Sequence, residues 1–150
     1  MDYTYQDNGE RQELLRGVRT VVIKVGTQLL TDVAGESKGD RVRRLVGQIA
    51  ELRSRGIAVI LVSSGAIGAG MTVLDNKERP RSLPYLQAHA AVGQSRLMYL
   101  YETACNERGF HCGQLLLTAG DVQSRQRHLN TSACLNALLD SGILPIINEN

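Results

Sequence analysis

The sequence predicts an α/β fold: a mostly parallel sheet sandwiched between helices. Three observations predict it. Short β-branched runs alternate with segments of helical period, in the order strand, helix, strand, helix, strand, helix, strand. The run "IAVILV" at residues 57–62 is apolar on both faces, which suits a parallel strand covered by helices on both sides. The segments between strands are long enough for right-handed crossovers.

The elements follow in order. Residues 1–18 are polar and read as an N-terminal arm, and the domain runs from residue 19 to residue 150. "RTVVIKVG" is the first strand, closed by Gly26. "TQLLTDVAGESKG" is loop-like. From Asp40 to Arg55 the apolar positions are Val42, Leu45, Val46, Ile49 and Leu52, a helical stripe, and Gly56 supplies its stop. "IAVILV" is the second strand. It runs into "SSGAIGAG", and a helix follows. "LDNKERPRSLP" is a polar surface connection. Pro84 can open a long helix that Gly109 closes. Gly93 lies inside that helix, where it costs about 1 kcal/mol relative to alanine, so a close helix contact is expected there. "FHCGQLLL" is the third strand, "TAGDVQSRQ" a turn, and Arg127 to Ser141 a helix with Leu135, Leu138 and Leu139 inward. "ILPIIN" is the fourth strand.

Bulk properties exclude several classes. A net charge of +2, with no basic face interleaved with aromatics, argues against a nucleic-acid binder. No apolar run approaches the roughly 20 residues of a membrane span, and the N-terminus does not read as a secretory signal. Cys105, Cys112 and Cys134 have no C-x-x-C spacing and read as reduced thiols of a cytoplasmic protein, each a small buried packing residue. His89, His111 and His128 lack metal-ligand spacing, so no metal site is expected from them.

In open α/β sheets, ligands bind beyond the carboxyl ends of the strands. That rule selects Lys24 to Thr27, Ser63 to Gly70, Leu117 to Asp121 and Asn148 to Asn150. Lys24 is either an exposed-face lysine or a point charge reaching a phosphate, and Gly26 lets backbone approach an anion. Ser64 can cap the helix that follows. That helix N-terminus, flanked by glycines, offers bare N–H groups to a carboxylate or phosphate. The amide of Asn148 can both donate and accept. Asp121 can be a turn or cap residue. There is no G-x-x-x-x-G-K-[ST], no G-x-G-x-x-G after the first strand and no acidic residue ending the second, so a P-loop enzyme and a nicotinamide dehydrogenase are both disfavoured.

"VVIKVGT", "VSSGAIGAG", "AAVGQSRLM", "QLLLTAGD" and "LNALLDSGILPIINEN" resemble, in order, the glutamate-phosphorylating branch of the amino acid kinase family. The resemblance covers about Arg19 to Asn150, and it implies a three-layer fold. Related kinases of the family usually carry a second glycine where Thr27 stands. It implies ATP-dependent phosphorylation of the side-chain carboxylate of L-glutamate to L-glutamyl 5-phosphate, the first step of proline biosynthesis. ATP is then a substrate, with Mg²⁺ bridging its phosphates. By position, Lys24 matches the catalytic lysine that neutralises the transferring phosphate, and Gly26 and Thr27 belong to the same phosphate loop. Ser64 with the backbone of Gly65 and Ala66 matches the glutamate-binding turn, and Asn148 another glutamate contact. Asp121 falls in a loop tied to feedback inhibition by proline. The family pattern continues past "INEN" into an aspartate and a nucleotide-binding half. The 150 residues therefore correspond to the amino-terminal, substrate-binding part, expected to be inactive in isolation and a homo-oligomer at full length. Another member of the family with a different acceptor, and a non-catalytic amino-acid-binding regulatory domain, remain as alternatives.

Overall fold

The computed structural model describes Glu13, residues 16–26 and residues 37–149. Most of the expected polar arm, Thr27 with the loop to residue 36, and Asn150 lie outside the described residues. The four strands are β1 (Thr20–Val25), β2 (Ala58–Ser63), β3 (Cys112–Leu117) and β4 (Leu144–Glu149). They form one parallel sheet in the order β1-β2-β4-β3. The helices are α1 (Lys38–Ser54), α2 (Ala66–Val73), α3 (Leu83–Asn106), α4 (Ala119–Gln123) and α5 (Arg125–Asp140). The segment "TAGDVQSRQ", expected as a turn, instead forms α4 and the start of α5. Asp121 causes this: Thr118 N and Thr118 Oγ1 both donate to its Oδ2, at 2.8 and 2.7 Å, and this box nucleates the short helix.

Alternation along the strands sends side chains to two faces. One face carries Val59 and Leu61 of β2 with Leu144 and Ile146 of β4. Val42, Val46 and Ile49 of α1 and Leu97, Tyr101, Ala104 and Cys105 of α3 close over them, all nearly inaccessible. Each such aliphatic contributes about 1.5–3 kcal/mol by leaving water. The opposite face is covered by α5, whose Leu138 lies against Gly113 of β3. Leu135, Leu138 and Leu139 are half-buried there, and α5 buries no residue fully. Val22 of β1, on this second face, is 61% exposed.

Two of the cysteine expectations hold and one does not. Cys105 is buried and Cys112 half-buried against the same core, whereas Cys134 is exposed on α5. A hydrogen bond from Cys105 to Cys112 raises the Cys105 thiol pKa and lowers that of Cys112.

The register brings the strand ends together. Val25 pairs with Ser63, and Leu117 with Glu149. The segments that leave the strands therefore share one edge of the sheet, as the carboxyl-end rule requires.

Candidate functional site

At that edge β2 ends in two serines with different tasks. Ser63 is 1% exposed, and its Oγ shares a hydrogen bond of 3.0 Å with Tyr101 Oη in the core. Burial raises the pKa of this phenol, which keeps it protonated. Ser64 does not cap α2, contrary to the sequence expectation. Its Oγ donates to Val25 O at 3.1 Å, and its backbone N donates to the same oxygen at 3.1 Å. The cap position is Gly65, with φ of 137° and no side-chain bond to the helix. Only glycine adopts that conformation without strain. The first turn of α2 thus presents N–H groups that no side chain covers, at the positive end of its dipole.

The helix is held there by backbone contact. A Cβ on Gly93 of α3 would stand 1.8 Å from Ala66 O, and one on Gly70 of α2 would stand 1.9 Å from His89 O. The close packing expected at Gly93 is therefore present, and it needs glycine on both helices. His89, 3% exposed, fixes the chain beyond α2. Its Nδ1 donates to Tyr85 O at 2.6 Å, which leaves Nε2 to accept from Asn76 Nδ2 at 2.7 Å. Both ring nitrogens are thus engaged within the fold, and the residue serves structure.

A cleft of about 470 Å³ opens above this crossing. Ser64, Gly65, Ala66 and Asn148 line it together, as the sequence reading grouped them. Three polar residues of the neighbourhood were missed. Arg79, from the connection read as solvated surface, and Gln87 of α3 both line the cleft. Gln94 holds Asn148, accepting from its Nδ2 at 2.6 Å. A signal for the glutamines was present: residues 87, 90, 94, 97 and 101 step along α3 at intervals of three and four, a stripe otherwise apolar. Among the described residues Arg79 has no ion-pair partner, so its charge is available to an anion in the cleft.

Lys24 is elsewhere. It is exposed on β1, paired in register with Val62, on the sheet face opposite Asn148, and it does not line the cleft. Its strand end is nonetheless tied to the site, because Val25 O accepts both bonds from Ser64. Gly26 is exposed, and a Cβ there would meet no atom within 4 Å among the described residues. Thr27 lies outside the described residues. Asp121 has its carboxylate engaged by Thr118, and those bonds lower its pKa.

The model of the amino acid kinase family matches residues 19–150. This chain belongs to the amino acid kinase family. Among curated relatives, the chain is 48% identical over 140 residues to the glutamate 5-kinase of Pelobacter propionicus, covering 93% of this chain and 38% of that protein. It is 49% identical to the glutamate 5-kinase of Clostridium acetobutylicum, covering 93% of this chain and 52% of that protein. The chain thus spans between about a third and a half of the relatives' length. Within this part of an amino acid kinase, no group of three or more His, Cys, Asp or Glu side chains gathers among the described residues. The segment offers no ready set of Mg²⁺ ligands there. No described helix is long and apolar enough to cross a membrane.

Proposed function

We propose that the protein phosphorylates the side-chain carboxylate of L-glutamate with ATP, giving L-glutamyl 5-phosphate, and that the cleft at Ser64 is the glutamate site. One observation carries the reading: the uncapped N-terminus of α2 at Gly65 and Ala66 converges with Ser64 and Asn148 on one cavity. The names of the relatives agree with it.

The chemistry asks little of a general base. A glutamate carboxylate has a pKa near 4.3 and is already anionic at neutral pH. The barrier lies in bringing an anion to a polyanion. Bare N–H groups at a helix N-terminus offset charge at one end of the substrate, and Arg79 adds a fixed positive charge at the rim. Ser64 Oγ spends its proton on Val25 O, so toward the substrate it acts as an acceptor. Asn148, 8% exposed and fixed by Gln94, orients the rest of the substrate. Lys24 and the amides around Gly26 and Thr27 meet the transferring phosphoryl group. In-line positioning of this kind can supply roughly 7–11 kcal/mol of a barrier. Mg²⁺ would ride on the ATP phosphates, and no described residue is assigned to it.

The same reading includes a place at the start of proline biosynthesis in the cytoplasm. Feedback by proline would work through the loop that Asp121 holds in shape. A homo-oligomer would use the exposed side of α3, where Tyr85, Val92 and Tyr99 recur every seven residues.

Hydroxylamine trapping tests the proposal. The full-length protein with ATP and L-glutamate should yield the γ-hydroxamate. ATP turnover with another acid but not with glutamate would overturn it. Glutamate binding without any phosphoryl transfer would favour a regulatory domain instead.

A further inference from the structure

Gln94 stands on α3 between Ala90, which lines the cleft, and Leu97, which is fully buried. Its Oε1 accepts from Asn148 Nδ2, while its own Nε2 is buried without a hydrogen-bond partner among the described residues. An unpaired buried amide donor is unfavourable, and an apolar side chain of similar size would fill the position without one. Packing alone therefore does not account for a glutamine here. What the glutamine does, and an apolar residue cannot, is hold the donor edge of the Asn148 carboxamide.

A carboxamide presents two unlike edges, and nothing in its shape distinguishes them. A partner that takes the donor edge decides which edge the ligand meets. We infer that Gln94 is a positioning residue: it fixes the flip of the Asn148 carboxamide so that the carbonyl edge serves the cleft, an acceptor for the ammonium group of an amino-acid substrate. The inference rests on the reading of the cleft as the glutamate site and adds to it the origin of selectivity. An amino dicarboxylate would be chosen over a plain dicarboxylate of the same length, because a site built to bond a group rejects the analogue that lacks it.

The experiment compares L-glutamate with glutarate, which has the same two carboxylates and no ammonium group. Titration calorimetry on the full-length protein gives both dissociation constants, with kcat and Tm measured in parallel. Gln94→Leu should weaken L-glutamate about ten- to a hundredfold, the range of a hydrogen bond to a charged group. Glutarate affinity should stay largely unchanged. Gln94→Glu retains an oxygen that accepts from Asn148 Nδ2, so it should restore most of the preference for glutamate over glutarate. The inference is overturned if Gln94→Leu weakens both ligands equally, which marks a structural role. It is also overturned if Gln94→Glu loses the preference as Leu does, which marks the opposite flip. A wild-type protein that binds glutamate no better than glutarate overturns the inference alone. One that binds neither overturns the site reading as well.

Discussion

The helix crossing beneath the cleft and the end of β1 lie at the same edge of the sheet, yet they are built in opposite ways. At the crossing, Gly70 and Gly93 bring two backbones into contact, and Gly65 takes a conformation closed to other residues. At the end of β1, Lys24 is exposed and a Cβ on Gly26 would meet nothing within 4 Å among the described residues. In the proposed function the first region acts through shape and the second through charge. Substitutions should separate the two cleanly. The crossing should answer in stability and affinity, and the strand end in rate alone.

The largest effect is expected at Lys24. For the proposed phosphoryl transfer in the full-length protein, Lys24→Met should lower kcat about 10²–10³-fold, as loss of a preorganised charge stabiliser does. Tm and the KM for glutamate should hardly move. An unchanged kcat would leave Lys24 an ordinary exposed lysine and dissolve the contrast.

Gly93→Ala comes next. One methyl group cannot fit 1.8 Å from Ala66 O, so the helices must part. A destabilisation of about 3 kcal/mol is expected, at the upper end for overpacking. Calorimetry would read it as a Tm lowered by roughly 6–12 °C. A stable Gly93→Ala protein would show the crossing to be looser than described.

The two serines sharpen the comparison inside one dipeptide. Ser63→Ala strands the Tyr101 hydroxyl in the core and should cost about 1–3 kcal/mol, most of it recovered in Ser63→Ala with Tyr101→Phe. Ser64→Ala should instead raise the KM for glutamate about five- to tenfold, the size of one ordinary hydrogen bond. A pure loss of stability at Ser64 would confine its hydroxyl to tying β1 to β2.

Asp121→Asn should have the smallest effect. Hydrogen bonds from Thr118 lower the Asp121 pKa in the folded state. Its contribution is therefore present above the ordinary carboxyl pKa and fades as pH falls through the lowered one. Urea melts of the two proteins should differ slightly at pH 7 and converge in acid. A difference that grows in acid would contradict the box.

Periodicity made the four strands, α1 and α3 legible, and the strand ends then pointed to the edge of the sheet where the cleft opens. Gly93 was readable as a close contact because glycine inside a long helix needs a reason. What stayed hidden depended on direction rather than sequence spacing. Serine before a helix usually caps it, but here Gly65 takes the cap, and Ser64 is drawn to Val25 O by the parallel register. Arg79 sits in a segment whose composition matches any solvated loop, and only the folded path of that loop brings it to the cleft. Gln87 and Gln94 were visible as polar breaks in an apolar stripe, yet the partner of Gln94 lies 54 residues away on β4.

The central claim is that glutamate lies against the uncapped start of α2. Titrating L-glutamate into the ¹⁵N-labelled full-length protein tests it most directly. The account predicts that the amide resonances of Gly65 and Ala66 move first and saturate together with that of the Asn148 side chain. Saturable binding that leaves those amides still, while resonances elsewhere shift, would contradict it.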